Sequence, residues 1–446
     1  MSATVRPALG DLAMPEATIP QLQQVLNEPF MREFWQDYIP VHFDHRRSDI
    51  ARCQIIEKRY SPGKWCVVTY SLTFGSESEQ HTFVLQVYAD RGVACQLGRF
   101  QLEGVKVVPG LRARLWQFPH DPELRNLPAL LNARRVQTLM PQRLFESLHA
   151  QGGCGLTLQA LKYVPLKRSI VLVQVGRAGH GNCPKVLGKL DRDADGSSTF
   201  DTMQQLWVEQ SHHHTAFAVV APLEYDTQSR ILWQRWSAGE SFLHFAQRKG
   251  LSVACARVAE GLAALHRTPL RGLPVCSEGA ALKKLRERAG LLMAFHPPLE
   301  APLSRLLECL EDVEALCKPA VEVPIHGDFN HSQILFEDGK PTVLDFTSSC
   351  FGDPLYDVAL FVAGLYAPDV LVQTDVNELL QAVNTFCQAY QSRVPWKVAK
   401  QTLRAQVATA LICRRAYKVL TRLEKGASEK IEHYVNLAAQ YFNQGE

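Results

Sequence analysis

Residues 325–361 read IHGDFNHSQILFEDGKPTVLDFTSSCFGDPLYDVALF. Two short apolar runs, Ile334–Phe336 and Thr342–Phe346, flank Glu337-Asp338-Gly339-Lys340. Asp-Gly between such runs is a strong signal for a tight hairpin turn. Folding the chain about Asp338-Gly339 sets Gln333 almost opposite Asp345, with Asp328 in the polar loop that feeds the first strand. Two carboxylates and an amide oxygen then converge at one end of the hairpin. Oxygen donors of this kind suit Mg²⁺, which takes one or two protein carboxylates and fills its shell with substrate phosphates. A carboxylate that stays off the metal is available to accept a hydroxyl proton.

Around this β segment, spanning about 321–347, the second half of the chain reads as mainly helical. In LSVACARVAEGLAALH, residues 251–266, Leu251, Ala254, Val258, Leu262 and Leu265 fall on one helical face. Residues 279–296, 300–317, 376–392, 397–424 and 428–443 also read as amphipathic helices.

The first half looks like a duplicated β unit. Tyr60-Ser-Pro-Gly-Lys-Trp65 and Tyr163-Val-Pro-Leu-Lys-Arg168 each precede a β-branched run, CVVTYSL and SIVLVQV, which are strand signals. The 103-residue offset sets Phe83–Val87 against Val186–Leu190. Further on, Leu115-Trp116-Gln117 resembles Leu232-Trp233-Gln234. At the matched position the second copy has Lys189 where the first has Gln86. Lys189, in a strand before a helix that opens near Ser198-Thr-Phe-Asp201, supplies a cation for nucleotide phosphates. Glu209 on that helix is the candidate ion-pair partner of Lys189, with Gln205 one turn earlier the weaker one. Residues 124–150, between the copies, read as helical. The turn Gly176–Asn182 in the second copy, with glycines at 176, 179 and 181, is the candidate phosphate-covering loop.

His326-Gly327-Asp328 with Gln333, Leu344-Asp345-Phe346, Gly352-Asp353-Pro354 and Tyr356-Asp357-Val358-Ala359, together with Leu262–His266, resemble the aminoglycoside phosphotransferase and choline kinase superfamily. The resemblance covers roughly residues 155–365. It implies an α+β, protein-kinase-like two-lobed fold, with a small antiparallel β lobe and a mainly helical large lobe. It also implies ATP and Mg²⁺ as cofactors, Asp328 as the residue that accepts the acceptor hydroxyl's proton, Asp345 and Gln333 as metal ligands, and Lys189 on the α/β-phosphates. His326 and Asp357 look like residues that hold the loop. Gln333 stands where the superfamily usually has Asn. Gln at this position, an extra N-terminal unit and Phe118-Pro119-His120-Asp121-Pro122 resemble maltokinases, but Phe346 is followed by Thr347-Ser348-Ser349-Cys350 where those enzymes have Glu-Gly-Glu-Pro.

The chain has 446 residues, 46% hydrophobic and 21% charged, with net charge +3. That usage is globular, and the near balance gives no reason to expect nucleic-acid or membrane partners. No run of 18 apolar residues is present, and the first twenty residues lack a secretory apolar core. The 12 Cys are dispersed without a C-x-x-C pair, which predicts reduced thiols and a cytoplasmic protein. The expected organisation is a flexible 1–20, a cap-like 21–150, a small lobe 151–237 and a large lobe 238–446. His212-His213-His214 reads as a helix end, Trp233 and Trp236 as packing, Asp353 as a helix cap, and Arg414 and Arg415 as a solvated helix face.

The function expected is transfer of the ATP γ-phosphate to a hydroxyl of a small molecule, a sugar or amino alcohol. The alternative is a catalytically inactive kinase-fold scaffold. A protein kinase ranks last, since no recognisable H-R-D and A-P-E set is present. The acceptor's identity and the oligomeric state are not legible.

Overall fold

The structure, a computed structural model, describes the chain apart from residues 1–7, 10–11, 14–18, 44–48, 76–79, 91–101, 153–154, 177–183, 194–195, 278, 317–320 and 444–446. Most of the stretch expected to be flexible, 1–20, lies outside the described residues. Of its described members, Leu12 is buried in the main core.

The duplication is visible as two five-stranded antiparallel sheets of one topology. The first runs, side by side, Ile50–Ser61, Trp65–Phe74, Gln80–Tyr88, Ala113–Gln117, Val105–Val108. The second runs Leu156–Val164, Arg168–Val175, Lys185–Asp191, Ile231–Arg235, Pro222–Asp226. In both, the fifth strand of the chain order sits inside the fourth. The 103-residue offset holds rung by rung: Val67 pairs with Gln86 as Ile170 pairs with Lys189, and Trp65 with Tyr88 as Arg168 with Asp191. The turns match as well. Lys64 N donates to Ser61 O and Lys167 N to Val164 O, each at 3.0 Å. Gly63 and Leu166 both have positive φ, 69° and 62°.

One matched stretch is shifted by a residue. Leu115 pairs with Leu85 and Trp233 with Gly188, so Trp233 corresponds to Leu115, and Trp116 to Gln234. Side chains alternate faces along a strand, so a one-residue slip sends the two tryptophans to opposite sides. Trp233 lies with Val171 and Val173 under the helical segment 127–148. Trp116 lies with Val67, Val84 and Leu166, between the two copies.

Each sheet is covered on the same face by helix that precedes it in the chain. The sequence reading assigns no helix before the first copy, yet Glu28–His42 forms one, capped by Asn27, whose side chain accepts from Phe30 N at 3.0 Å. Its buried residues Met31, Trp35 and Ile39 are four apart, and Trp35 packs on Tyr70 and Phe83.

The helical half contains Leu251–His266, Ala280–Phe295, Glu300–Leu316, Val376–Gln391 and Ala427–Asn443, each within a few residues of its predicted span. The predicted 397–424 helix is Lys400–Ala410, a π turn Leu411–Ala416, and Tyr417–Thr421. Ala218–Val219 pairs with Thr342–Val343, and Glu240–Ser241 with Leu335–Phe336, stitching the second sheet's connections to the central hairpin. With these features the fold is the expected α+β, two-lobed kinase-like one.

The first copy spans both lobes. Arg59 donates to Pro165 O at 2.7 Å. Lys58 Nζ donates to Leu423 O at 2.6 Å, and Glu57 pairs with Arg422.

One expectation about cysteines fails. Cys276 and Cys350 form a disulfide, because residues 274–276 run beside Phe351 through backbone hydrogen bonds of 2.7 and 2.8 Å. Spacing along the chain, 74 residues, gives no sign of that contact. Among the described residues no helix is long and apolar enough to cross a membrane.

Candidate active site

The site starts from a buried carboxylate. Asp357 lies in the first turn of helix Pro354–Leu365 and is fully buried. It accepts from His326 N at 2.6 Å and from Gly327 N at 2.9 Å, and it contacts His266 Nε2 at 3.2 Å. His266 in turn contacts Tyr390 OH at 2.8 Å, and His326 Nε2 bonds Leu344 O at 2.8 Å. These contacts fix the loop that carries Asp328 and tie it to the segment that carries Asp345. His326 and Asp357 thus hold the loop, and the Leu262–His266 segment supplies a third member of the clamp. Asp353 caps the same helix, accepting from Leu355 N at 2.9 Å.

Gly327 has φ 77°, and a Cβ there would lie 2.1 Å from Ser348 O. Both the backbone conformation and the space exclude a side chain. Gly327→Ala is therefore expected to cost about 2 kcal/mol or more, read as a lowered denaturation midpoint. A wild-type midpoint would show that residues 346–349 yield freely.

The Asp338-Gly339 turn forms as predicted, with φ 49° and 75° and Glu337 paired to Lys340. Gln333 falls opposite Leu344, through Leu344 N to Gln333 O at 2.9 Å, one residue short of Asp345. Asp345 itself has left the strand: its φ is 65°, and a 3-10 turn, Phe346–Ser348, follows. That left-handed residue turns its carboxylate toward the second sheet. There it meets Lys189 Nζ, Arg168 Nη1 at 2.5 Å and Thr347 Oγ1 at 3.0 Å. Arg168 also pairs with Asp191 at 2.9 Å. Burial by itself would raise the Asp345 carboxyl, but Lys189 and Arg168 hold it well below the usual carboxylate range. Burial pulls the Lys189 ammonium below its ordinary value, and Asp345 opposes that pull.

The expected partner of Lys189 is elsewhere. Glu209 lies 3.8 Å from His213 at the exposed end of helix Gly196–His212, and Gln205 bonds the backbone of Arg271. Among the described residues Lys189 pairs with Asp345 alone. The His212–His214 run is a helix end, as read. Trp233 is fully buried packing.

The candidate phosphate-covering turn, Gly176–Asn182, falls almost wholly outside the described residues, but its flanks are placed: Val175 N bonds Pro184 O. Val175 is five residues along the strand from Ile170, which faces Lys189, roughly 15–17 Å away. The turn at the Lys189 and Asp345 end is Val164–Lys167, and Lys167 lines the cleft beside Asp328. Strand order decides this, since the first hairpin of the copy, and not the second, closes at that end.

Asp121, noted in the sequence only within Phe118–Pro122, holds that turn. Its carboxylate accepts from Leu166 N and Tyr163 OH, both at 2.8 Å, and Trp116 Nε1 donates to Tyr163 OH at 2.9 Å.

Asp328 opens onto a cleft of about 750 Å³, along with Asn330 and Gln333. Its carboxylate pairs with Arg414 at 3.1 Å. Arg414 and Arg415 are not a solvated face. The π turn rotates both inward, and Arg415 donates to Ala363 O and Gly364 O at 2.9 Å. π turns inserted in α-helices often mark functional positions. Sequence reasoning passes over Arg168 and takes Arg414 for a solvated face because their partners lie 177 and 86 residues away; the only local sign of Arg168 is the lysine-arginine pair after the Y-x-P motif.

No curated protein matches the chain. Among solved structures, the chain is similar to aminoglycoside phosphotransferase APH(4)-Ia in ternary complex with AMP-PNP and hygromycin B, at 16% identity and TM-score 0.47, covering 69% of this chain and 100% of that one. It is also similar to a choline/ethanolamine kinase family protein from Mesorhizobium loti, at 14% identity and TM-score 0.47, covering 68% and 95%. Choline kinase LicA from Streptococcus pneumoniae gives 13% identity and TM-score 0.41, covering 68% and 98%. Residues 197–394, which contain Asp328, Asp345 and Asp357, match the model of the phosphotransferase enzyme family, the family that the ordered motifs resemble.

Proposed function

We propose that the protein transfers the γ-phosphoryl group of ATP to a hydroxyl of a small molecule. The observation that carries this reading is the contact of Lys189 and Arg168, from the β lobe, with Asp345, beside a cleft that Asp328 enters. Two cations and a carboxylate held ionised are what a phosphate-bound metal needs.

The donors present fit Mg²⁺. Asp345 offers a carboxylate and Gln333 an amide oxygen, and oxygen donors of this kind suit an ion completed by phosphate oxygens. Asp345 and Gln333 would hold it, and when bound it supplies charge neutralisation on the transferred group. Lys189 and Arg168 then divide their hydrogen bonds between Asp345 and the nucleotide phosphates. Lys167, on the turn above, adds a third cation. Asp328 accepts the acceptor hydroxyl's proton, with Arg414 orienting its carboxylate.

The first copy serves as a support and binds no nucleotide. Gln86 replaces Lys189 and Trp65 replaces Arg168, and the Gln86 side chain accepts from Arg114 Nε at 2.7 Å. Its contribution is to brace the Val164–Lys167 turn through Asp121, Arg59 and Trp116.

Thermal unfolding with Mg-ATP tests the reading. At about 100 times the dissociation constant, binding adds roughly 2.7 kcal/mol. The melting shift should appear in wild type and in Gln86→Ala, and disappear in Lys189→Ala and Asp345→Ala. No shift in wild type, or an equal shift in all variants, would move the protein to the scaffold reading.

A further inference from the structure

We infer that the phosphoryl acceptor is an anion: a sugar or polyol that already carries a phosphate or carboxylate, seated in the cleft beside Asp328. This rests on the phosphotransferase reading and narrows its substrate class.

The cleft's charge is one-sided. Seven arginine and lysine side chains line it, against two carboxylates, Asp328 and Asp369. The chain as a whole is only +3, so this is local concentration. The cations come from separate parts of the chain: Arg59 from the first copy, Lys167 from the second, Arg288 from helix Ala280–Phe295, and the rest from the π turn and the segment after it.

Several have structural employment and are set aside. Arg415 satisfies the last carbonyls of helix Pro354–Leu365, a usual role for a cation at a helix C-terminus. Arg422 pairs with Glu57, and Arg414 with Asp328. Lys167 belongs with the nucleotide phosphates. Asp369 is engaged by His331 at 3.1 Å.

Arg59, Arg288 and Lys418 remain. Among the described residues none of the three forms an ion pair. Arg59 and Arg288 each donate to one main-chain carbonyl, Pro165 O and Cys413 O, and Arg288 stacks on the Tyr417 ring at 4.5 Å. A guanidinium has five N–H donors, so both keep most of theirs. Burial lowers the Lys418 ammonium below its ordinary value, and Arg415 and Arg422 push it further down. Burial likewise lowers Arg288, with Arg414 adding to the effect. Lys418 is exposed and Arg288 half-buried, and an anion placed among these crowded like charges relieves the repulsion from their cationic neighbours. A cationic amino alcohol would meet the same field as repulsion.

The test is calorimetric titration of the full chain, saturated with Mg-AMP-PNP so that nucleotide phosphates are already in place. The probes are glucose 6-phosphate, gluconate, glucose, glucosamine and inorganic phosphate. The anionic probes should bind at least about tenfold more tightly than glucose, and glucosamine more weakly still. Lys418→Gln and Arg288→Gln should each weaken the anions about tenfold and leave Mg-AMP-PNP affinity unchanged. Equal binding of glucose or glucosamine, no binding of any anion at millimolar concentration, or anion affinity unaltered in both variants would overturn the inference. If Mg-AMP-PNP itself fails to bind, the phosphotransferase reading falls separately. The titration without nucleotide then decides the anion site, whose affinity must fall about tenfold in Lys418→Gln and be kept in Lys189→Ala.

Discussion

Asp328→Asn should lower phosphoryl transfer by about 10²–10⁴-fold, the range over which a positioned general base contributes. The substitution keeps the shape of the side chain and removes its ability to take a proton. The loop around it is held by Asp357 and not by Asp328 itself, so the fold should survive. Arg414 loses its counter-charge in this variant, but both side chains are about one-third exposed, at 34% and 38%, so water replaces the pair at little cost. Mg-ATP binding should persist, because Lys189, Arg168 and Asp345 are untouched. The measurement is turnover with a working acceptor beside a melting shift with Mg-ATP. Activity within tenfold of wild type, with the shift intact, would remove Asp328 from the role of proton acceptor.

The second large effect is on stability. Asp357→Ala should cost about 3–5 kcal/mol, the range for breaking a fully buried charged network. The carboxylate receives two backbone N–H groups and faces a buried histidine, and none of these has water to turn to. A donor left unsatisfied in the interior costs its full desolvation. Asp357→Asn should recover part of the loss, since the amide retains one acceptor oxygen while its NH₂ confronts donors. Denaturant unfolding measures both. A loss below about 1 kcal/mol for Asp357→Ala would mean that the loop is held mainly by the His326 bond to Leu344. Turnover should fall in the same variant, because Asp328 rides on that loop.

These two expectations differ in how early they can be stated. The ordered motifs place Asp328, Asp345 and Asp357 on the page from sequence, because each lies within a short segment whose spacing carries the geometry. The Asp338-Gly339 turn forms for the same reason: its backbone preference is local. The duplication is also local in character, since a 103-residue offset repeats both the turn residues and the strand register. Helices such as Leu251–His266 follow from a single apolar face. The helix Glu28–His42 was equally open to that argument, through Met31, Trp35 and Ile39.

Other features depend on chain segments meeting across the fold. Spacing suggested a helix residue, Glu209, as the partner of Lys189. The tertiary structure gives Lys189 to Asp345, 156 residues away, because a left-handed backbone at Asp345 points its carboxylate at the sheet. Strand order, not glycine content, decides that Val164–Lys167 overlooks the site. A π turn, invisible in an amphipathic pattern, sends Arg414 to Asp328. The cationic cleft is collected from four regions that lie far apart along the chain. Sequence by itself determined the ordered motif segments and the repeated β unit, because local backbone preference and side-chain periodicity encode them. Only the tertiary structure decided which charges face one another, because electrostatic partners are set by distance in space, and packing of the whole chain sets that distance.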